Sequence, residues 1–287
     1  MKPHAVFAPL IRAAFIVVFG ASAIGQPGPD VPYVPTPEDV VDTMLEMAEV
    51  TEDDIVYDLG CGDGRIVITA ASRYGAHGVG VDLDPQRIEE SIKNAVAAGV
   101  TDKVEFRQMD LFQTDIGSAT VLTLYLLTYV NMKLRPKIFD ELKPGTRVVS
   151  HNYGMDDWKP DGYREIPGRW SEHKVFYWVV PANVSGEWTW DADTGGGSVR
   201  NVLTVMQTFQ EVGGMLITGD SSKPLCDISV DGGVFRLAAG EGSGFLQYEG
   251  IADGDMIEGT VRVGVNGDRS IPWRAVRTPG SKTDIDK

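Results

Sequence analysis

Val56-Tyr57-Asp58-Leu59-Gly60-Cys61-Gly62-Asp63-Gly64-Arg65-Ile66 is the stretch that decides the fold. An apolar run ends beside an acid, three glycines alternate with other residues, and helical spacing resumes at once. Glycine lets a backbone approach a ligand with no Cβ in the way, and a helix start presents free N–H groups. The pattern therefore reads as strand, ligand-cradling turn and helix. A dinucleotide fingerprint would place glycine at position 65, where this chain has arginine.

On both sides of that turn, strand and helix signals alternate. Residues 55–59 read as a strand and 65–74 as a helix. A strand over 78–81 stops at Asp82, and Asp84-Pro85 opens a helix with the apolar stripe Ile88, Ile92, Ala95 and Val96. A strand over 104–107 ends near Asp110, residues 120–126 form a wholly apolar strand, and a helix closes at Leu142. Strands over 146–151 and 174–180 follow, the last expected to run antiparallel because no long helix precedes it. Upstream, the proline-punctuated residues 26–37 end in a helix start, with Thr36 as N-cap, Pro37 first in the helix and Asp39 as capping-box acid. Repeated βα units of this length predict an α/β fold with a doubly wound, mostly parallel sheet of the seven-stranded type.

From about residue 184 helical periodicity vanishes. Leu246 and Tyr248 alternate with Gln247 and Glu249, and Ile257, Val261 and Val263 with Glu258, Thr260 and Arg262. Turn signals such as Gly213-Gly214 and Asp231-Gly232-Gly233 separate about eight short strands, the pattern of a small all-β barrel or sandwich. The expected organisation is a leader over 1–25, an α/β domain over 26–182, a β-rich accessory domain over 183–278 and a tail over 279–287. The domains would join near residues 181–185.

The net charge is -15, with -9 in residues 1–182 and -6 in the remainder. Neither half offers the basic footprint that phosphate-backbone binding uses, so no nucleic-acid partner is expected. The two cysteines, Cys61 and Cys226, lie in different compositional regions with no metal-ligand spacing and read as free thiols. Lys2, His4 and Arg12 precede an apolar run over 13–23 that ends Ala21-Ser22-Ala23. Those are the parts of a secretory signal peptide or a membrane anchor, which would bring membrane association.

Two more acids stand at predicted strand ends. Asp82 is placed to accept hydrogen bonds from ribose hydroxyls, as an acid there also does in NAD sites. Asp110, followed by Leu111, is placed at the height of an adenine ring. With Asp58 and the G-x-G-x-G spacing, the sequence over residues 30–182 resembles class I S-adenosylmethionine-dependent methyltransferases. Val31-Pro32-Tyr33-Val34-Pro35-Thr36 upstream of the glycine loop narrows the likeness to the ATP synthase c-subunit lysine methyltransferases.

This resemblance implies S-adenosyl-L-methionine as cofactor and a protein lysine as methyl acceptor. It also implies a lid formed by Tyr33 to Thr36, and cofactor contacts from Gly60, Gly62, Gly64 and Asp82. Position 82 is usually glutamate in the eukaryotic relatives. The stretch Leu124-Tyr125-Leu126-Leu127-Thr128-Tyr129-Val130-Asn131 lacks the Asn/Asp-Pro-Pro-aromatic motif of enzymes that methylate bases or glutamine. The β-rich tail has no counterpart in the lysine methyltransferases.

Methyl transfer is an in-line displacement that needs alignment and a desolvated pocket more than acid–base groups. Tyr33, Tyr125, Tyr129 and Asn131 are candidates to line the acceptor channel, each with ordinary packing as the alternative. His151 reads as a structural histidine, with a general base as the alternative. Trp188, Trp190 and Trp273 read as core aromatics of the β-rich region. Two rival functions stand beside the lysine reading. One is methylation of a small molecule or lipid. The other is an exported, non-catalytic binding protein, which the leader favours because S-adenosylmethionine is a cytoplasmic metabolite.

Overall fold

The computed structural model describes residues 33–169, 171–193, 197–223, 225–264 and 269–286. The leader, and with it the expected signal peptide or anchor, lies outside the described residues. Among these residues no helix is long and apolar enough to cross a membrane.

Strands β1 (Ile55–Leu59), β2 (His77–Asp82), β3 (Val104–Gln108), β4 (Val121–Leu124) and β5 (Arg147–His151) are parallel. β6 (Gly162–Ile166) and β7 (His173–Val179) complete the sheet, in the order β3-β2-β1-β4-β5-β7-β6. β7 runs antiparallel to β5, as the missing crossover helix required. β6 was not foreseen. It is an antiparallel edge strand whose central residues are exposed, so no burial period marks it in the sequence.

Alternate residues of the strands face opposite layers, so both faces of the sheet must be covered. On one face, Val56, Val121, Val149 and Val175 pack under α1 (Glu38–Met47) and α2 (Arg65–Thr69). On the other, Leu59, Leu122, Leu124 and Val148 pack under Val130, Leu134 and Ile138 of α4 (Thr128–Glu141). Two local expectations change. The helix expected over 65–74 is α2 followed by a π-helical turn, Ala70–Tyr74. In α3 (Pro85–Ala98), Asp84 caps as expected, its carboxylate accepting the Gln86 N–H at 2.8 Å. Of the expected stripe Ala95 is buried, but Ile92 and Val96 are exposed and Ser91 is buried in their place. α3 comes close to the glycine loop here, since a Cβ on Gly64 would stand only 2.8 Å from that of Ser91.

Among the described residues the β-rich region is one antiparallel sheet of nine strands, in which β11 and β12 are the two edges. The nine are β8 (Gly186–Asp193), β9 (Ser198–Thr208), β10 (Glu211–Thr218), β11 (Ser221–Lys223), β12 (Leu225–Asp231), β13 (Val234–Ala239), β14 (Leu246–Asp253), β15 (Met256–Val263) and β16 (Arg269–Arg277). The first and last long strands, β8 and β16, are hydrogen-bonded neighbours. β10 also approaches β12, where Ile228 would touch a Cβ on Gly214, so the sheet curls into a nearly closed barrel. Its interior holds Trp188, Trp190, Phe235, Tyr248 and Trp273, in agreement with the sequence reading of the tryptophans. Residues 181–185 are tied at both ends rather than slack. Gln207 accepts the Val184 N–H and donates to the Ala182 carbonyl, and buried Arg277 donates to the carbonyls of Asn183 and Ser185. Both cysteines are free.

Candidate functional site

The glycine loop is fastened before it can hold anything. The N–H groups of Gly60 and Cys61 both donate to the Val81 carbonyl, at 2.8 and 2.9 Å, which docks the turn onto the end of β2. Gly60, Gly62 and Gly64 all adopt positive φ, at +83°, +53° and +79°, the left-handed region that other residues enter at a cost of about 1–2 kcal/mol. At Gly62 a side chain is also excluded by space, since a Cβ would come within 2.3 Å of the Tyr33 ring.

Asp82, at the end of β2, accepts the Gly62 N–H through Oδ2 and the Asp84 N–H through Oδ1, each at 2.9 Å. These two bonds fix the carboxylate plane and leave a lone pair on each oxygen for a ligand. Asp58 is 3% exposed and accepts the Thr123 hydroxyl at 2.9 Å. Burial, reinforced by the charges of Asp82 and Asp63, pushes its pKa up to about 7. Asp63 behaves otherwise. Burial raises it, but a bidentate ion pair with Arg65 outweighs that and holds its carboxyl below the ordinary range. With Asp63 paired to Arg65, the carboxyls left beside the loop are those of Asp58 and Asp82.

The segment preceding α1 lies over this loop. Arg65 reaches back from Asp63 to donate to the Thr36 carbonyl at 2.8 Å, and the Arg87 guanidinium sits 4.5 Å from the centre of the Tyr33 ring. Thr36 is not the helix cap expected of it. Pro37 occupies that place without a side-chain bond, and the buried Thr36 hydroxyl instead meets His151 Nδ1 at 3.3 Å.

Asp110 closes a turn after β3, its Oδ1 accepting the Phe112 N–H at 2.9 Å, and Leu111 is half-buried against the core. Past β4 and β5 the rings gather. Tyr125 lies 3.9 Å from the His151 ring and 6.1 Å from that of Tyr153. Burial raises the Tyr125 phenol above its usual value, against a hydrogen bond from Asn152. Asn131 is fully enclosed. Its Nδ2 donates to the carbonyls of Tyr153 and Gly154, at 3.0 and 3.3 Å, so it shapes the loop behind the ring cluster. Tyr129 stands apart from that cluster, exposed, with the Lys133 ammonium 5.6 Å from its ring centre. The structure thus brings Tyr33, Thr36, Asp58, the three glycines, Asp82 and Tyr125 to the carboxyl ends of β1, β2, β4 and β5, where open α/β sheets bind ligands.

Sequence reasoning missed Arg65, Arg87 and His173. The acid–arginine pair inside the glycine loop was a readable signal for Arg65. His173 was not readable locally, because its nearness to His151 depends on the antiparallel register of β5 and β7.

This cradle fits S-adenosylmethionine. Cβ-free backbone is open to a ligand there, and Asp82 has free acceptor capacity for hydroxyls. The carboxyls of Asp58 and Asp82 lie beside the loop, where a ligand with a cationic sulfonium and ammonium would favour the ionised form of Asp58.

Comparisons with known proteins agree. The family model described as the ANTKMT methyltransferase domain matches residues 58–162. A protein-lysine N-methyltransferase of Saccharolobus islandicus (strain REY15A) is 49% identical over 153 residues, 53% of this chain and 95% of that protein. The human ATP synthase c-subunit lysine N-methyltransferase is 26% identical over 175 residues, 61% of this chain and 67% of that protein. A crystal structure from Salinibacter ruber, described as an RNA methyltransferase in complex with S-adenosyl-L-homocysteine, is 54% identical. It matches with a TM-score of 0.50, over 53% of this chain and 96% of that one. The fold and site are those of an S-adenosylmethionine-dependent methyltransferase. The chain belongs to the class I methyltransferase family that includes the Saccharolobus protein, and S-adenosylmethionine is its methyl donor.

Proposed function

We propose that this enzyme methylates the ε-amine of lysine in a protein. The observation that carries the reading is the gathering, at neighbouring strand ends, of an acidic glycine cradle and the Tyr125–His151–Tyr153 ring cluster. When bound, the cofactor supplies a methyl group on a sulfonium, a carbon open to attack by a neutral amine. On this reading Gly60, Gly62, Gly64 and Asp58 hold its aminoacyl end, Asp82 its ribose, and Asp110 and Leu111 its adenine. Tyr33 and Thr36 close over it and exclude water. Tyr125 and Tyr153 flank the apolar stem of the incoming lysine. A wall of rings guides that stem and penalises hydration of the ammonium, which favours the uncharged, reactive form. The residues carrying this work fall within 26–182, with 183–278 as an accessory barrel docked on them through Phe209 and Gln210.

Relatives named as protein-lysine methyltransferases support this acceptor. The Salinibacter protein's description raises RNA as the rival. The charge of -15 favours protein, because RNA binding draws most of its affinity from cationic contacts to phosphate. The test offers cell protein and total RNA together to the full chain with isotopically labelled methyl donor. Label in protein, reduced at least tenfold in Tyr125→Ala, supports the reading, and label in RNA overturns it.

A further inference from the structure

Beside the cofactor cradle lies a pair of imidazoles that the binding scheme does not use. His151, at the end of β5, is wholly buried. Its Nδ1 stands 3.3 Å from the Thr36 hydroxyl, and its Nε2 stands 3.0 Å from Nδ1 of His173, which is only half-buried. A continuous hydrogen-bonded line therefore runs from the lid to the outside of the sheet. The register makes it. His151 pairs with Val175, so His173, two residues earlier on the antiparallel strand, falls on the same face just beyond the end of β5.

A neutral imidazole has one donor and one acceptor, so the line has only two arrangements. In the first, the Thr36 hydroxyl donates to His151 Nδ1, His151 Nε2–H donates to His173 Nδ1, and His173 Nε2 carries its proton outward. In the second every bond is reversed and His173 Nε2 is bare. Passing from one to the other moves one proton along the line and leaves neither ring charged.

From this geometry we infer that Thr36, His151 and His173 form a relay that exports the proton an acceptor lysine loses before methyl transfer. The inference rests on the lysine reading above, since a lysine ammonium, with an ordinary pKa of about 10.4, must shed a proton to expose its lone pair. The steps balance. The amine gives a proton to Thr36 Oγ1 as that hydroxyl gives its own to His151 Nδ1. His151 Nε2–H passes to His173 Nδ1, and the His173 Nε2 proton goes to water. The nitrogen keeps its electron pair for attack on the methyl carbon. When the lid opens for product release, water gives a proton to His173 Nε2 and takes one from the Thr36 end, which restores the first arrangement.

The groups facing His151 suit transit rather than storage. They are Thr36 from the lid, Tyr125 past β4, Tyr153 past β5 and His173 from β7, with Arg65 behind the Thr36 carbonyl. These described neighbours include no carboxylate that would trap a cation. Burial and the neighbouring His173 push the His151 pKa down to about 3, so the ring is neutral at working pH.

The test uses His173→Asn, whose side-chain oxygen can replace Nδ1 as acceptor for His151 yet cannot hand a proton on. With a lysine-bearing protein acceptor, kcat near neutral pH should fall roughly 100-fold, the scale of a positioned proton-transfer group. Cofactor Kd should stay within threefold of wild type, and activity should return with added imidazole or at about pH 10, where lysine deprotonates in solution. A loss equal at all pH values and not rescued by imidazole would mean a merely structural pair and overturn the relay, as would wild-type kcat in the variant. If the wild-type chain itself transfers nothing to lysine, the functional reading fails first, an outcome distinct from a defect confined to the variant.

Discussion

The indole N–H of Trp158 donates to the side-chain carbonyl of Gln210 at 2.9 Å, joining the segment after β5 to the turn between β9 and β10. That bond is one of several at the same place. Gln210 also donates to the Lys159 carbonyl, and Phe209 enters the methyltransferase core, 5.9 Å from Phe139 and 6.1 Å from Trp158 between ring centres. From the other side, Arg135 of α4 donates to the Met155 carbonyl and pairs with Asp286 at 2.6 Å. The barrel's turn and the residues near the chain's end thus clamp the loop whose near end is Tyr153.

Phe209→Ala should therefore destabilise the whole enzyme. Truncating a buried phenylalanine costs about 3–5 kcal/mol through lost transfer energy and the cavity left behind. Urea unfolding followed by tryptophan fluorescence, which reports Trp158 and Trp178 in the same cluster, should give one transition shifted by that amount. A change below about 1 kcal/mol would mean that the turn merely rests on the surface.

Asp82→Asn should weaken cofactor binding without unfolding the loop. Asparagine retains an acceptor for the Gly62 N–H, gives up the one that takes the Asp84 N–H, and loses the charge that strengthens a hydrogen bond to a hydroxyl. Hydrogen bonds to charged groups contribute about 1.5–3 kcal/mol, so titration calorimetry should show Kd rising roughly 10- to 100-fold. An unchanged Kd would remove Asp82 from the site.

Asp58 sets a pH dependence whose sign can be worked out. Its folded pKa of about 7 lies above its unfolded value, so between the two the folded state binds more protons. Stability therefore falls as pH rises through that window, and the cost is complete above about pH 7. The cofactor-free enzyme should have a higher Tm at about pH 5 than at about pH 8, and Asp58→Asn should flatten the difference. A cationic ligand favours the ionised carboxyl, so binding near pH 7 should release a proton, read by calorimetry in two buffers of different ionisation enthalpy. Proton uptake would contradict the assignment.

Tyr33 offers a test of the lid. Its ring covers Gly62 and lies against Arg87, and both contacts survive in Tyr33→Phe. That variant should keep its cofactor Kd within threefold, whereas Tyr33→Ala should raise it at least tenfold. Equal effects would assign the role to the hydroxyl instead.

Much of this was legible wherever the chemistry is local. The glycine loop announced itself through residue type and spacing, Asp84-Pro85 through cap chemistry, and the barrel through strict alternation around Tyr248 and Val261. Non-local relations were not legible. The stripe of α3 was legible only in part: Ala95 is buried as its spacing implied, but Ile92 and Val96 are exposed and Ser91, close to Gly64, takes the interior, which helical spacing alone does not reveal. Thr36 looked like a cap because its neighbours are cap-like, but its hydroxyl is claimed by a histidine 115 residues away. Arg65 meets the Thr36 carbonyl, and His173 meets His151, only once lid and strands are in register.

Lysine methylation stands or falls on the chemical identity of the product. Protein methylated by the full chain with labelled donor would be hydrolysed completely, and the label separated by chromatography with mass detection. The label should elute as ε-N-methylated lysine and disappear from reactions run with Asp82→Asn at limiting cofactor. Label recovered on another amino acid, on nucleosides or on small molecules alone would contradict a protein-lysine acceptor.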